Sequence, residues 1–148
     1  MTGGAAGGAA VRKPVPLPEP ASEGFWAAAR DGRLVAQRCT TCRNYLYPPD
    51  IVCPRCLTET LEYVHLSGAA TLYSFVVMNR AFYAGFAEDL PYVVAFVELD
   101  EQPGLRMVSN VVGSDPAALR IGDRLQVEFD DRGTQSVPVF RVREGGSA

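Results

Sequence analysis

The 148-residue sequence contains a single histidine, and it contains no cysteine outside one short window. The histidine, His65, has no identifiable partner for a proton relay, so we expect it to have a structural role. The motifs GxSxG, GxGxxG, HExxH and the phosphate-binding P-loop are also absent. Together these absences predict no catalytic residue in this chain.

Long apolar runs and an excess of positive charge are missing as well. The longest apolar run is far shorter than the roughly 20 residues that a membrane-spanning helix needs. The net charge is −3, with +2 over residues 30–60 and −5 over residues 61–148. An acidic second half disfavours a large phosphate-binding face. The sequence therefore predicts a globular protein with neither a membrane nor a nucleic acid as its partner.

All four cysteines lie in two CxxC pairs, Cys39 with Cys42 and Cys53 with Cys56. Each CxxC turn can direct two thiolates at one cation. Two such turns form a tetrahedral site for zinc, with Zn–S distances of about 2.3 Å. The ten residues between the pairs are enough for a hairpin, and Pro48-Pro49 supply a turn. We predict a structural Zn²⁺ site with no organic cofactor. Iron fits the same four thiolates, and the sequence does not choose the metal.

Two other interpretations of the cysteines are weaker. Two disulfides would require an oxidising compartment, and the N-terminus shows no signal peptide that would lead to one. A thioredoxin-like redox pair would require a βαβ pattern, which surrounds neither CxxC. We therefore expect reduced thiolates and a cytoplasmic location.

The order of sequence features predicts three segments. Residues 1–21 are rich in Gly, Ala and alternating Pro, which predicts a flexible or extended arm. Residues 22–60 contain a short helix, with Ser22 as its N-cap, and the cysteine ribbon. Residues 61–148 show β-patterns separated by turns, which predict a mainly β domain: a five-stranded OB-type barrel, with a sandwich as the alternative. Strands are predicted at 61–65, 70–78, 92–99, 106–112, 124–129 and 137–142.

A long connection, residues 79–91, separates two of the predicted barrel strands. Its aromatic residues and one arginine suggest contact with a partner or ligand. Alternatively, the rings cap the open end of the barrel. The candidate contact residues are Arg80, Phe82, Tyr83 and Phe86.

The order of short motifs resembles a known family. Phe25-Trp26, Gly32-Arg33-Leu34, Gln37-Arg38-Cys39-x-x-Cys42, Pro48-Pro49 and Cys53-Pro54-x-Cys56 are followed by Leu72-Tyr73-Ser74-Phe75, Pro91-Tyr92 and Gly122-Asp123-x-Leu125. Over residues 22–143 the chain is similar to the thiolase-associated OB-fold proteins with an N-terminal rubredoxin-like zinc ribbon. One departure is Leu57, which follows the last cysteine where such knuckles often have glycine.

This resemblance implies an accessory role in acyl-CoA metabolism. Members of the family are similar to subunits that bind a thiolase or a thiolase-like aldolase, including the aldolases of steroid side-chain degradation. Such a domain can also form the C-terminal half of an enoyl-CoA hydratase subunit, and the Gly/Ala/Pro-rich start would suit a domain from such a fusion. The resemblance therefore implies a hetero-oligomer with a thiolase-like protein, contact with acyl-CoA and a role in guiding the CoA thioester, with the catalytic residues in the partner.

Two alternative classes remain at the level of sequence. Zinc ribbons and OB barrels both occur in nucleic-acid-binding proteins, although the acidic second half opposes this function. A stand-alone enzyme would need a catalytic group that the sequence does not reveal. Salt-dependent oligonucleotide binding would identify the former, and acyl-CoA turnover by this chain alone would identify the latter.

Overall fold

The fold was analysed in a computed structural model that describes residues 12–144. Within these residues, an N-terminal arm without regular secondary structure leads to one α-helix, α1, over Glu23–Arg30. Phe25 and two alanines of this helix are buried. Ser22 occupies the N-cap position, but its hydroxyl does not cap the helix; it bonds instead with the backbone of Glu19. The predicted arm over residues 1–21 lies partly outside the described residues.

A small antiparallel sheet follows the helix. Its strands are β1 (Val35–Cys39), β2 (Tyr45–Leu46) and β3 (Leu61–His65), in the order β2-β1-β3. All five residues of β3 pair with β1. The sheet therefore joins residues on both sides of the domain boundary predicted at residue 60. Cys39 at the end of β1 pairs with Leu61 at the start of β3, so the two segments that carry the cysteines lie at the same end of the sheet.

The second half of the chain forms a closed barrel of five strands. They are β4 (Ala69–Met78), β5 (Tyr92–Leu99), β6 (Arg106–Val112), β7 (Arg124–Asp131) and β8 (Ser136–Val142). The order around the barrel is β4-β5-β6-β8-β7, with β7 returning to β4 and with β6 and β8 parallel. This confirms the mainly β prediction of an OB-type barrel, and each predicted strand agrees with the structure to within two residues at either end.

Alternation of side chains along the strands builds the core of the barrel. On β5, Val93, Ala95 and Val97 point inward and are almost completely buried, while Phe96 lies on the outer surface and is 48% exposed. Phe140 on β8 is completely buried. Its backbone pairs with Val111 on β6 and with a residue of β7, so this residue lies where the barrel closes.

The ribbon and the barrel share one hydrophobic core. Phe25, Val35 and Ala36 from the first half of the chain belong to the same buried cluster as the inward residues of the barrel. Gln102, in the turn between β5 and β6, also reaches the ribbon: its amide accepts from the Tyr45 N–H at 3.0 Å and donates to the Tyr45 carbonyl at 3.1 Å. This side chain pairs with β2 much as a neighbouring strand would, and it fixes the ribbon against the barrel.

The chain passes from the ribbon to the barrel through a glycine that no other residue could replace without strain. Gly68 has φ +80°, a conformation that L side chains rarely adopt. A Cβ at this position would also lie 2.3 Å from a methyl carbon of Val127. The close approach allows the Gly68 carbonyl to accept the Val127 N–H at 2.9 Å, which connects the linker to β7.

Candidate metal centre and neighbouring surfaces

Two backbone turns of nearly identical construction carry the cysteines. In the first, the Arg43 N–H donates to the Cys39 carbonyl and the Cys39 N–H donates to the Asn44 carbonyl. In the second, the Leu57 N–H donates to the Cys53 carbonyl and the Cys53 N–H donates to the Thr58 carbonyl. All four bonds are 2.9 Å long. Each turn therefore holds its pair of cysteines in the same way, and the pairs face each other.

The residue after each pair has a left-handed backbone. Arg43 has φ 67° and Leu57 has φ 63°. A residue with a Cβ costs roughly 1–2 kcal/mol in this region relative to the right-handed one, whereas glycine adopts it freely. The backbone at Leu57 is therefore strained. This strain explains why glycine suits the position after the last cysteine of such a knuckle.

The structure brings the four cysteine sulfurs into one cluster. The Sγ atoms lie within 4.8 Å of one another, with 3.5 Å between Cys39 and Cys56 and 3.6 Å between Cys42 and Cys53. None forms a disulfide. A tetrahedral ion with metal–sulfur distances of about 2.3 Å has sulfur–sulfur edges of about 3.8 Å. The cluster therefore fits one tetrahedral metal ion, whose chemistry would be to cross-link the two turns.

Hydrogen bonds and burial shift the pKa values of Cys39, Cys42 and Cys56 in different directions. The Thr58 hydroxyl is the main cause that lowers the pKa of Cys39 to about 5, and it also lowers the pKa of Cys56. At Cys42 a backbone hydrogen bond from Asn44 lowers the pKa, but burial and the other three sulfurs outweigh it and raise the value to about 11. The threonine beside the sulfurs was not among the residues predicted from sequence, because hydroxyl contacts to sulfur have no sequence signature.

The predicted contact residues of the 79–91 segment do not form one group. Phe82 and Tyr83 project into solvent, 72% and 65% exposed, and the guanidinium of Arg80 lies 5.8 Å from the centre of the Phe82 ring. Phe86 instead packs on the Tyr92 ring, with ring centres 5.0 Å apart. The exposed pair therefore offers surface for contact, and Phe86 serves the packing at the mouth of the barrel. A role of these residues in partner contact stays a prediction.

Phe86 belongs to a short 3-10 helix, Ala84–Asp89, in a segment predicted to be irregular. The N-terminal arm lies against this helix. The Lys13 ammonium is 2.7 Å from the Asp89 carboxylate, and the Arg132 guanidinium donates to the Pro14 carbonyl at 2.7 Å. These contacts seat the arm over a groove of about 510 Å³ at the barrel mouth. The groove is lined by buried valines of the barrel and by charged residues that are already in salt bridges, among them Lys13 with Asp89 and Arg132 with Asp130.

His65, the single histidine, is exposed at the end of β3, where its backbone pairs with Val35. Among the described residues, no helix has both the length and the apolar composition that crossing a membrane requires.

The fold and the sulfur cluster define a rubredoxin-like metal ribbon joined to an OB-fold barrel. Residues 26–62 match the family described as "ChsH2, rubredoxin-like zinc ribbon domain", and residues 63–130 match "ChsH2, C-terminal OB-fold domain". The chain belongs to this ChsH2 family, whose members are also called DUF35 proteins. The family resemblance found in the sequence is thereby confirmed.

Several known proteins are similar to this chain. A "probable enoyl-CoA hydratase alpha subunit" of Thermomonospora curvata is 37% identical over 88% of this chain. The chain spans only 41% of the length of that subunit. A "DUF35 domain-containing scaffold protein" of Methanothermobacter thermautotrophicus is 37% identical over 65% of this chain and 71% of its own length. "Benzoylsuccinyl-CoA thiolase subunit BbsA" of Thauera aromatica is 31% identical over 68% of this chain and 67% of its own length.

Among solved structures, a chain of the "Ltp2-ChsH2(DUF35) aldolase" superposes with a TM-score of 0.79. It is 33% identical to this chain, and the match covers 86% of this chain and 98% of that one. The same arrangement of ribbon and barrel therefore occurs in a protein whose description names an aldolase.

Proposed function

We propose that this chain is a non-catalytic accessory subunit or domain that binds and stabilises a thiolase-like acyl-CoA enzyme, either a thiolase or a retro-aldolase. The observation that carries the proposal is the match over almost the whole length of a chain in the Ltp2-ChsH2(DUF35) aldolase. The relatives described as a scaffold protein and as a thiolase subunit support the same class of function. Catalytic groups would then belong to the partner, and the acyl chain is proposed to be of the steroid side-chain type.

The metal in this proposal is Zn²⁺, held by Cys39, Cys42, Cys53 and Cys56. Four thiolates in a closed tetrahedral site are typical of structural zinc. Its role would be to hold the ribbon in the shape that the partner recognises, since no coordination position remains for a substrate. Four free cysteines also suit a reducing compartment, which supports a cytoplasmic location.

The exposed aromatic pair is the proposed docking surface for the partner. Phe82 and Tyr83 lie in the connection that follows β4, and the last residues of that strand include the exposed Val76 and Val77, at 57% and 37%. Aromatic side chains on a surface of this kind are enriched among the residues that carry binding energy in protein interfaces. We further propose that the CoA thioester passes along the neighbouring groove at the barrel mouth, so that the chain helps to guide it.

The function is tested by co-expressing this chain with the thiolase-like protein encoded nearest to it in the source genome. We expect the two chains to elute together in size-exclusion chromatography and to cleave 3-oxoacyl- or 3-hydroxyacyl-CoA thioesters faster than either chain alone. Separate elution, with the partner fully active by itself, would contradict the accessory role. Retention on an oligonucleotide column that declines steeply with salt would favour the nucleic-acid alternative instead.

The docking surface is tested with the double variant Phe82→Ala/Tyr83→Ala. We expect affinity for the partner to fall by at least about 2 kcal/mol, roughly 30-fold, because buried aromatic anchors at interfaces have effects of this size. Isothermal titration calorimetry with the purified partner gives the change. Phe86 is unsuitable for this experiment, since its substitution would also break the stacking on Tyr92.

Ile121→Ala is the matched control for the docking experiment. Ile121 is also a large exposed apolar residue, 70% exposed, but it lies in the turn that bonds to Leu72 in the first half of β4. The control should bind the partner as the unmodified chain does. If the double variant and the control bind the partner with equal affinity, the 79–91 segment is not part of the interface.

A further inference from the structure

Three threonine hydroxyls form a connected chain that ends at two of the cysteine sulfurs. The Thr41 and Thr60 oxygens are 2.7 Å apart, and the Thr60 and Thr58 oxygens are 3.0 Å apart. The Thr58 oxygen lies 3.0 Å from the Cys56 sulfur and 3.4 Å from the Cys39 sulfur. Thr60 also contacts the Cys39 sulfur, at 3.5 Å. This row of hydroxyls thus connects Thr41 in the first knuckle with Thr58, which follows the second knuckle.

The direction of the hydrogen bonds follows from a count of protons. Each hydroxyl has one proton to donate, and a thiolate that binds a metal has none. In a contact between Thr58 and a thiolate, the hydroxyl must be the donor. When the Thr58 proton points to sulfur, its oxygen is left to accept from Thr60, and the Thr60 oxygen accepts from Thr41. In this arrangement the hydroxyls donate in sequence toward the Cys39 and Cys56 thiolates.

The charge of the site gives these donors their importance. Four thiolates around a divalent cation carry a net charge of −2, and Cys39 and Cys53 are completely buried. Hydrogen bonds to ionised acceptors are stronger than neutral ones, and groups that bond to metal ligands tune affinity for the metal. In the described part of the chain, the sulfurs of Cys42 and Cys53 have each other as side-chain partner and no hydroxyl. The support is therefore concentrated on one half of the site.

We propose that Thr58 and Thr60, supported by Thr41, are positioning residues that stabilise the Cys39 and Cys56 thiolates and slow the loss of the metal from the site. This inference depends on a metal at the four cysteines and is independent of the accessory role.

The test compares Thr58→Val, which removes the hydroxyl and keeps the shape, with Thr58→Ser, which retains the hydroxyl. In the full-length chain loaded with Zn²⁺, we expect transfer of zinc to a chromogenic chelator to be about 10-fold faster in Thr58→Val. In the Co²⁺-loaded chain, the sulfur-to-cobalt charge-transfer bands should move to lower energy, because the sulfur lone pairs lose a donor. Thr58→Ser should match the unmodified chain in both measurements.

Thr40→Val is the matched control in the same knuckle. The Thr40 hydroxyl donates to the Thr60 carbonyl at 3.1 Å and does not contact sulfur. If Thr58→Val behaves as this control does, the proposal is wrong. It is equally wrong if Thr58→Ser is as impaired as Thr58→Val, because the methyl packing would then be responsible. Should Thr58→Val fail to fold, Thr60→Val decides: a shift of the cobalt bands in the same direction supports the proposal, and unchanged bands overturn it.

Discussion

The double substitution Cys53→Ser/Cys56→Ser is expected to abolish metal binding and to unfold the ribbon. It removes two of the four sulfurs and leaves a pair that cannot form a closed site. Between Cys39 and Leu61 the only regular structure is the two-residue strand β2, so a bound metal would supply most of the order there. In small metal-bound domains the free energy of metal binding is folding free energy.

The loss should extend beyond the ribbon, because β1 carries both a ligand and part of the shared core. Cys39 ends β1, and Val35 and Ala36 of the same strand pack with the barrel. We expect a loss of more than about 3 kcal/mol in stability, which corresponds to a fall of roughly 10 °C or more in the thermal midpoint for a chain of this size. Elemental analysis of the purified protein and calorimetric melting measure the two effects. An unchanged midpoint in the metal-free variant would rule out a structural role for the metal.

Leu57→Gly serves as the control for this experiment. It alters the same knuckle at an exposed residue, 75% exposed, and relieves the left-handed strain at φ 63°. The variant should retain its metal, and its midpoint should stay equal or rise slightly, because the relief of strain opposes the greater entropy of glycine in the unfolded chain. Chelator treatment of the unmodified chain should reproduce the defect of the double variant, which would assign the effect to the metal.

Phe140→Ala is expected to have the largest effect of any single substitution in the barrel. Phe140 is completely buried on β8, and that strand joins β6 to β7. Truncation of a buried phenylalanine to alanine costs about 3–5 kcal/mol through lost burial and the cavity that remains. Because β6 and β8 pair over only two residue pairs, the side chain between them contributes much of the contact that closes the barrel. The free energy of unfolding in urea measures the loss.

Phe96→Ala is the matched control, since the same change is made on the outer face of the barrel. Phe96 is 48% exposed and its neighbours on the outer surface include Val108, to which its backbone pairs. We expect a loss below about 1 kcal/mol, because its ring already contacts water in the folded state. Similar losses for the two variants would contradict the assignment of Phe140 to the centre of the core. Metal content should be normal in the control.

Ribbon and barrel were predictable because their signals are local. A CxxC pair places two ligands on one turn regardless of the rest of the chain, and alternation along a strand requires only neighbouring residues. The order of the motifs along the chain also indicated the family. The gap between the two pairs could also be judged from sequence, since ten residues are enough to return the chain.

Other features could not be predicted from the sequence, because they depend on residues far apart in the chain. Gln102 and Tyr45, 57 positions apart, meet only after the barrel has folded against the ribbon. The salt bridge of Lys13 with Asp89 holds the arm against a 3-10 helix that has no periodic signal in the sequence. Phe86 was grouped with Phe82 by proximity in sequence, but only the packing distinguishes a ring on Tyr92 from a ring in solvent.

By itself, the sequence determined that four thiolates come in two facing pairs and that the second half of the chain forms alternating strands, because ligand spacing and side-chain alternation are set by the local geometry of the backbone. The tertiary structure decided which groups surround those thiolates and which aromatic rings remain exposed. Thr58 bonds to the sulfur of Cys39, 19 residues earlier, only because the two knuckles fold face to face. Contacts of this kind arise from the packing of whole elements, and no local pattern of residues records them.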